Sequence, residues 1–160
     1  MRRNQLQAGV TLLEMMVVMV IIAIMAGAVY PSVSSSLDGI RLSSSADEIV
    51  AFLNGAVERA NRHQVPVEIL IDKGANMIVL HSTEARFERR YELSSSVAIQ
   101  SVLPEIPGGE KPPIRRFYVY PGGTAPRIGV LIANRNGAQR LIRIDPITGA
   151  PQIERRQANP

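Results

Sequence analysis

The chain has 160 residues, 46% of them hydrophobic, with 18 Lys/Arg against 14 Asp/Glu. It has no cysteine and no tryptophan, which excludes a disulfide framework and thiolate chemistry, and its length holds one modest domain beside an anchoring segment. Residues 110–160 carry nine Lys/Arg and three carboxylates, or +6 of a net +4, which leaves the first 109 residues at −2.

Arg2 and Arg3 precede an apolar run over residues 10–30 that is broken only near its start, by Thr11 and Glu14. As a helix this run would span about 31 Å at ~1.5 Å per residue, close to the ~30 Å of a bilayer core. The positive-inside rule keeps residues 1–9 cytoplasmic and sends the remainder outward. A secretory signal has a shorter apolar core with a small-residue cleavage site behind it; here the run is longer and the small residue, Gly9, stands in front. A carboxylate at the centre of a membrane helix costs roughly 2.5–3.5 kcal/mol on insertion scales, and less near the end, where Glu14 sits. Such a residue needs a partner.

Gly9-Val10-Thr11-Leu12-Leu13-Glu14 resembles the class III signal of type IV pilins and type II secretion pseudopilins. The resemblance implies that a prepilin peptidase removes leader 1–9 between Gly9 and Val10. It also implies N-methylation of Val10, which stands where the family usually has Phe. Glu14 becomes the fifth mature residue, and the partner implied for it is the new α-amine of Val10, in the same subunit or a neighbour. Elementary electrostatics agrees. An α-amine titrates near pKa ~7.7–8.0 and is largely cationic at neutral pH, and opposite charges attract more strongly in a low dielectric. Further along, Pro31 would clash with the carbonyl of Gly27. Gly27 and Pro31 therefore mark a helix kink rather than an end, because the helical pattern resumes soon after.

Leu37, Ile40, Ala46, Ile49, Val50, Leu53, Ala56, Val57 and Ala60 recur at helical steps and read as one apolar stripe facing a sheet. Ser43-Ser44-Ser45 reads as solvent-facing helix or a local weakness. Val65-Pro66 ends the helical pattern. Short β-branched runs follow at 67–71, 77–81, 89–93, 97–103, 114–120, 128–133, 140–144 and 152–155. Turn chemistry separates them at Lys73-Gly74-Ala75-Asn76, Asn136-Gly137 and Thr148-Gly149. Arg135-Asn136-Gly137 reads as a hairpin, and residues 104–113 form the longest loop. The predicted class is α+β, with a long N-terminal helix, membrane anchor plus amphipathic half, packed on mostly antiparallel sheet. The predicted segments are a leader at 1–9, a transmembrane helix half at 10–31, an amphipathic periplasmic half at 32–64 and a β-rich periplasmic domain at 65–160.

The later chain is similar to the GspH/FimT branch of the pilin superfamily. The resemblance lies in Ala56-Val57-Glu58-Arg59-Ala60-Asn61-Arg62 with Val65-Pro66-Val67, in Tyr118-Val119-Tyr120-Pro121-Gly122-Gly123, and in the glycine-containing stretch 140–153. It implies a pilin-like fold and a minor pseudopilin of a type II secretion system in the inner membrane. The implied partners are prepilin peptidase, other major and minor pseudopilins, inner-membrane lipid and the inner-membrane secretion platform. Contacts would lie in loops, above all residues 104–113. The runner-up is a FimT/FimU-type minor pilin of a type IV pilus, with adhesion or DNA uptake as its task.

No enzyme is expected. His63 and His81 lie eighteen residues apart, too few and too scattered for a catalytic or zinc site. No Gly-rich stretch is followed by the Lys-Ser/Thr of a phosphate loop. Residues 145–149 lack the alternating carboxylates of a calcium loop. No cofactor or metal is predicted. The arginines read first as solvated strand faces, and nucleic acid is the less favoured partner. Its candidate contacts are Arg155 and Arg156, with Arg115 and Arg116 as further phosphate binders. The glycine at 149 is not followed closely by arginines, as the DNA-binding relatives would require.

Overall fold

The computed structural model describes residues 10–82, 84, 87–106, 112–123 and 125–156, with the side chains of 28–35 and of 156 excepted. The chain divides into two units, Met1–Ser36 and Leu37–Pro160. One helix, α1 (Leu12–His63), contributes to both.

In the first unit, α1 starts immediately after Thr11 and carries helical backbone through Gly27 and Pro31, so no helix end falls there. In the second unit, α1 buries Leu42, Ala46, Ile49, Leu53, Ala56 and Ala60. These alternate steps of four and three, the spacing that keeps one face of a 3.6-residue helix in register. The predicted stripe is corrected at its start. Leu37 and Ile40 are 46% and 65% exposed. Leu37 lies nine residues, about two and a half turns, from Ala46, which puts it on the opposite side of the helix. Leu42 and Phe52, outside the predicted stripe, are buried. Ser45 is also corrected: Ser43 and Ser44 face solvent, but Ser45 is buried. It engages the hydroxyl of Tyr91, whose pKa is pushed up to about 12, chiefly by burial. The helix stops where Gln64 adopts φ 56° and its side-chain amide donates to the Asn61 carbonyl at 2.7 Å. A left-handed residue past the last turn is a standard terminator, and Val65-Pro66 prevents the helix from resuming.

Among the described residues eight strands follow: β1 (Val67–Asp72), β2 (Met77–Ser82), β3 (Glu88–Glu92), β4 (Val97–Leu103), β5 (Ile114–Val119), β6 (Gly129–Asn134), β7 (Gln139–Ile144) and β8 (Pro151–Arg156). Each falls within two residues of a predicted run. They form two antiparallel sheets, ordered β3-β2-β1-β5 and β4-β6-β7-β8. Val67, Ile69 and Ile71 of β1 and Ile78 and Leu80 of β2 point inward with strict alternation. Ile99, Val130, Ile132, Ile142 and Ile144 supply the matching face of the second sheet. Both faces meet the α1 stripe in one core, and the arrangement is α+β.

The sheets are tied together by Asn76, at the end of the β1–β2 turn with φ 53°. Its side-chain amide donates to the Val97 carbonyl at 2.7 Å and accepts from the Ile99 N–H at 2.9 Å. Its own carbonyl accepts from Leu93 N–H. One side chain thus imitates a strand residue against the edge strand β4. The predicted hairpin at 135–137 joins β6 to β7, with Gly137 at φ 81° and the Asn134 carboxamide oxygen accepting from Asn136 and Ala138. Gly137 N–H donates to the Asn134 carbonyl at 3.1 Å and Asn134 N–H to the Ala138 carbonyl at 3.0 Å, so the loop is the three-residue kind, a turn followed by one left-handed glycine.

Candidate functional site

Thr11 stands immediately before the first helical residue. Its Oγ1 accepts from the Glu14 N–H at 3.3 Å, and its carbonyl accepts from Met15 N–H. This is N-cap geometry: a hydroxyl satisfies one of the four unpaired donors of a helix start. Thr11-Leu12-Leu13-Glu14 is also the T-x-x-E spacing of a capping box, in which the acid three residues on faces back toward the cap. That spacing was present in the sequence, and the cap role of Thr11 is the feature that reading for a signal peptide alone overlooks. The positive end of the helix dipole falls on the same turn and favours an anion there. Glu14 therefore sits where a carboxylate is least costly within the run.

Around this turn the helix is apolar on every side. Leu12, Leu13, Met15, Met16, Met19, Ile24 and Met25 are all more than half exposed, and the large hydrophobic residues between them are exposed as well. A helix with apolar residues all round needs a surrounding apolar medium or neighbouring helices. The described part of the run, from 12 to 27, covers about 24 Å, short of a ~30 Å core. Among the described residues no helix is long and apolar enough to cross a membrane. The sequence continues the run with Ala28-Val29-Tyr30, whose side chains lie outside the described set, as does Gly9, half of the predicted cleavage site. Val10 is described and is 62% exposed.

The other predicted positions are dispersed. His63 ends α1, with Nδ1 3.5 Å from Glu84, which also binds Arg59 at 2.7 Å. His81 lies on β2. Among the described residues no His, Asp or Glu cluster could hold a metal. Arg115 and Arg116 are on β5 of one sheet, whereas Arg155 is on β8 of the other. The Arg115 guanidinium is already engaged, donating to the carbonyls of Val102 and Pro104. The four arginines do not share one sheet. The Arg156 side chain and residues 107–111 of the predicted contact loop lie outside the described residues.

In the chain, Arg2 and Arg3, a capped helix start and a stretch of helix with exposed apolar side chains come before the α+β domain. Residues 4–30 match the family described as the prokaryotic N-terminal methylation motif. This is a type IV pilin-like prepilin signal, and the fold is compatible with a pilin-like one. Proteins bearing it form a structural, non-enzymatic class. The motif implies processing by prepilin peptidase and assembly with other pilins. No curated protein and no solved structure matches the chain.

Proposed function

We propose that this protein is a minor pseudopilin of a type II secretion system, of the GspH/FimT branch. Prepilin peptidase cuts between Gly9 and Val10, and Val10 is N-methylated. The helix over residues 10–31 anchors the chain in the inner membrane with the β-rich domain in the periplasm. Assembly with other pseudopilins then forms a filament that helps push folded proteins through an outer-membrane channel. The observation that carries this reading is the prepilin signal at residues 4–30, which includes the Thr11-capped start of α1 and a stretch of helix whose apolar side chains are exposed. Cleavage turns the Val10 amide into a cation one residue ahead of the Thr11 cap. That cation neutralises Glu14 in the mature subunit or across a subunit boundary. Gly27 and Pro31 supply a weak point at which the helix bends during assembly, since Pro31 removes one backbone donor.

Mass spectrometry of the mature protein tests the first step, with a chain beginning at N-methylated Val10 as the expected product. A different first residue sinks the class III reading. Deleting the gene then tests the system: loss of exported folded proteins with surface pili intact supports the secretion role.

A second reading, a DNA-binding minor pilin, has one observation in its favour. Arg155 on β8 is the direct cross-strand partner of Arg140 on β7, and like charges placed opposite each other repel unless an anion joins them. Loss of pili rather than secretion on deletion, with steeply salt-dependent DNA binding, would favour it.

A further inference from the structure

The face of the first sheet turned away from the core carries a row along the edge strand β5: Ile114, Arg116 and Tyr118, continued past the strand by Tyr120. Tyr118 and Tyr120 are 46% and 57% exposed. Their ring centroids are 6.3 Å apart and the planes are inclined by only 30°. Both rings offer apolar surface to solvent in a chain with only seven aromatic residues. The row is held in place. The Tyr118 hydroxyl donates to Glu68 at 2.9 Å, and Arg116 Nε lies 4.0 Å from the same carboxylate oxygen. The structure thus juxtaposes near-parallel rings with a carboxylate and a guanidinium beside them.

Three ligand classes stack on exposed aromatic rows: nucleobases, apolar protein side chains and sugar rings. Charge separates the first from the third. The strand register places four carboxylates on this face (Glu68, Asp72, Glu88 and Glu92) against two guanidiniums, Arg90 and Arg116. Single-stranded nucleic acid needs a positive groove along its phosphates as well as stacking rings, and this face is net negative. A protein anchor needs a pocket that excludes water, whereas both rings stand open. A neutral polyhydroxylated chain fits: its C–H faces lie on the rings, and its hydroxyls donate to Glu68 and accept from Arg116. We propose that the Tyr118–Tyr120 row, with Glu68 and Arg116, binds a neutral linear glycan. The site lies wholly within the Leu37–Pro160 unit and stands independently of the secretion reading.

The test uses the full chain in a zwitterionic detergent without sugar headgroups, titrated with chitohexaose, cellohexaose and an oligothymidylate. With no tryptophan in the chain, tyrosine fluorescence reports on the site, and calorimetry provides the affinity. Saturable binding of at least one hexasaccharide is expected, and which one binds identifies the sugar class. Tyr118→Ala and Tyr120→Ala should each weaken it roughly threefold to tenfold, while Tyr→Phe at either position retains it within about twofold. Raising salt from about 50 to 200 mM should leave it nearly unchanged, unlike a phosphate-driven complex. Both rings are exposed, so the circular dichroism of the variants should match the parent. Failure of both hexasaccharides, unchanged affinity in the alanine variants, or tighter and salt-sensitive binding of the oligothymidylate would each overturn the proposal.

Discussion

Replacing Asn76 with glycine keeps the left-handed backbone at φ 53° but deletes the amide that clasps β4. Two hydrogen bonds are lost, at about 0.5–1.5 kcal/mol each. Glycine adds about 0.5–1 kcal/mol of backbone entropy to be lost on folding. The expected destabilisation is thus roughly 1.5–4 kcal/mol, a large share of the stability of a domain this size. Asn76→Ala loses the same two bonds but trades the glycine entropy for the left-handed penalty of about 1–2 kcal/mol, so it should lie within about 1 kcal/mol of the glycine variant. Asn76→Asp is the sharper probe. It preserves shape and the acceptor for Ile99 N–H, but sets a carboxylate oxygen against the Val97 carbonyl where the amide donated. Protonation restores a donor there, so the new carboxyl should have a raised folded pKa. Its destabilisation should therefore be full at neutral pH and relax as the pH falls toward about 4. Urea unfolding of the full chain in micelles, followed by circular dichroism across pH, measures all three. If Asn76→Gly lies within about 0.5 kcal/mol of the parent, or Asn76→Asp is as stable as the parent at pH 7, Asn76 does not couple the two sheets and the bond arithmetic fails.

Glu14→Gln retains a side chain able to close the cap on Thr11 but carries no charge, whereas Thr11→Ala removes the cap alone at about 0.5–2 kcal/mol of helix-start stability. If the ion pair with Val10 governs assembly, Glu14→Gln and Glu14→Ala should both reduce the methylated chain recovered in cross-linked filaments, while Thr11→Ala leaves it nearly intact; glutamine behaving as the parent would assign Glu14 to capping only. A methyl at Gly129 would meet Leu103 Cβ at 3.0 Å and Cδ1 at 3.1 Å across the β4–β6 pair. Gly129→Ala should cost about 1–3 kcal/mol of overpacking and be partly relieved by Leu103→Ala in a double-mutant cycle, and strictly additive effects would disprove the clash. Asp145 is held below its ordinary carboxyl range, first by the Ile147 backbone N–H, whose bond it accepts at 2.8 Å, and then by Thr148. A lowered folded pKa means stability that is fully present above the unfolded value of 3.8 and lost as the pH falls through the folded one. The parent's advantage over Asp145→Asn should hold at neutral pH and vanish in strong acid, with the Ile147 amide resonance as the local reporter.

How far the sequence was legible depends on whether a feature is local. The strands were visible because runs such as Val67-Glu68-Ile69-Leu70-Ile71 are rich in β-branched residues and bounded by turn residues such as Gly74 and Asn76. The helix was visible from Ala46 to Ala60 by its apolar period of about 3.6 residues. The Thr11 cap was equally local, a T-x-x-E spacing that needed only to be read as helix chemistry as well as a signal. The stripe failed at Leu37 and Ile40 because both lie well out of phase with Ala46 at about 100° per residue, so their apolar type, not their position on the helix, suggested burial. Ser45 is polar by type, yet it is buried because Tyr91 of β3 supplies its partner.

The sequence by itself determined the prepilin-type signal at residues 4–30, the succession of α1 and strands β1 to β8 among the described residues, and the α+β class. These follow from charge order, small-residue placement and short-range periodicity. Only the tertiary structure decided that the strands divide into two sheets, that Asn76 locks β4 to the β1–β2 turn, and that Tyr118 and Tyr120 share an open face with Glu68 and Arg116. Alternation tells a strand which side to bury but not which strand to pair with. Pairing is settled by long-range contacts whose energies no single stretch of chain contains.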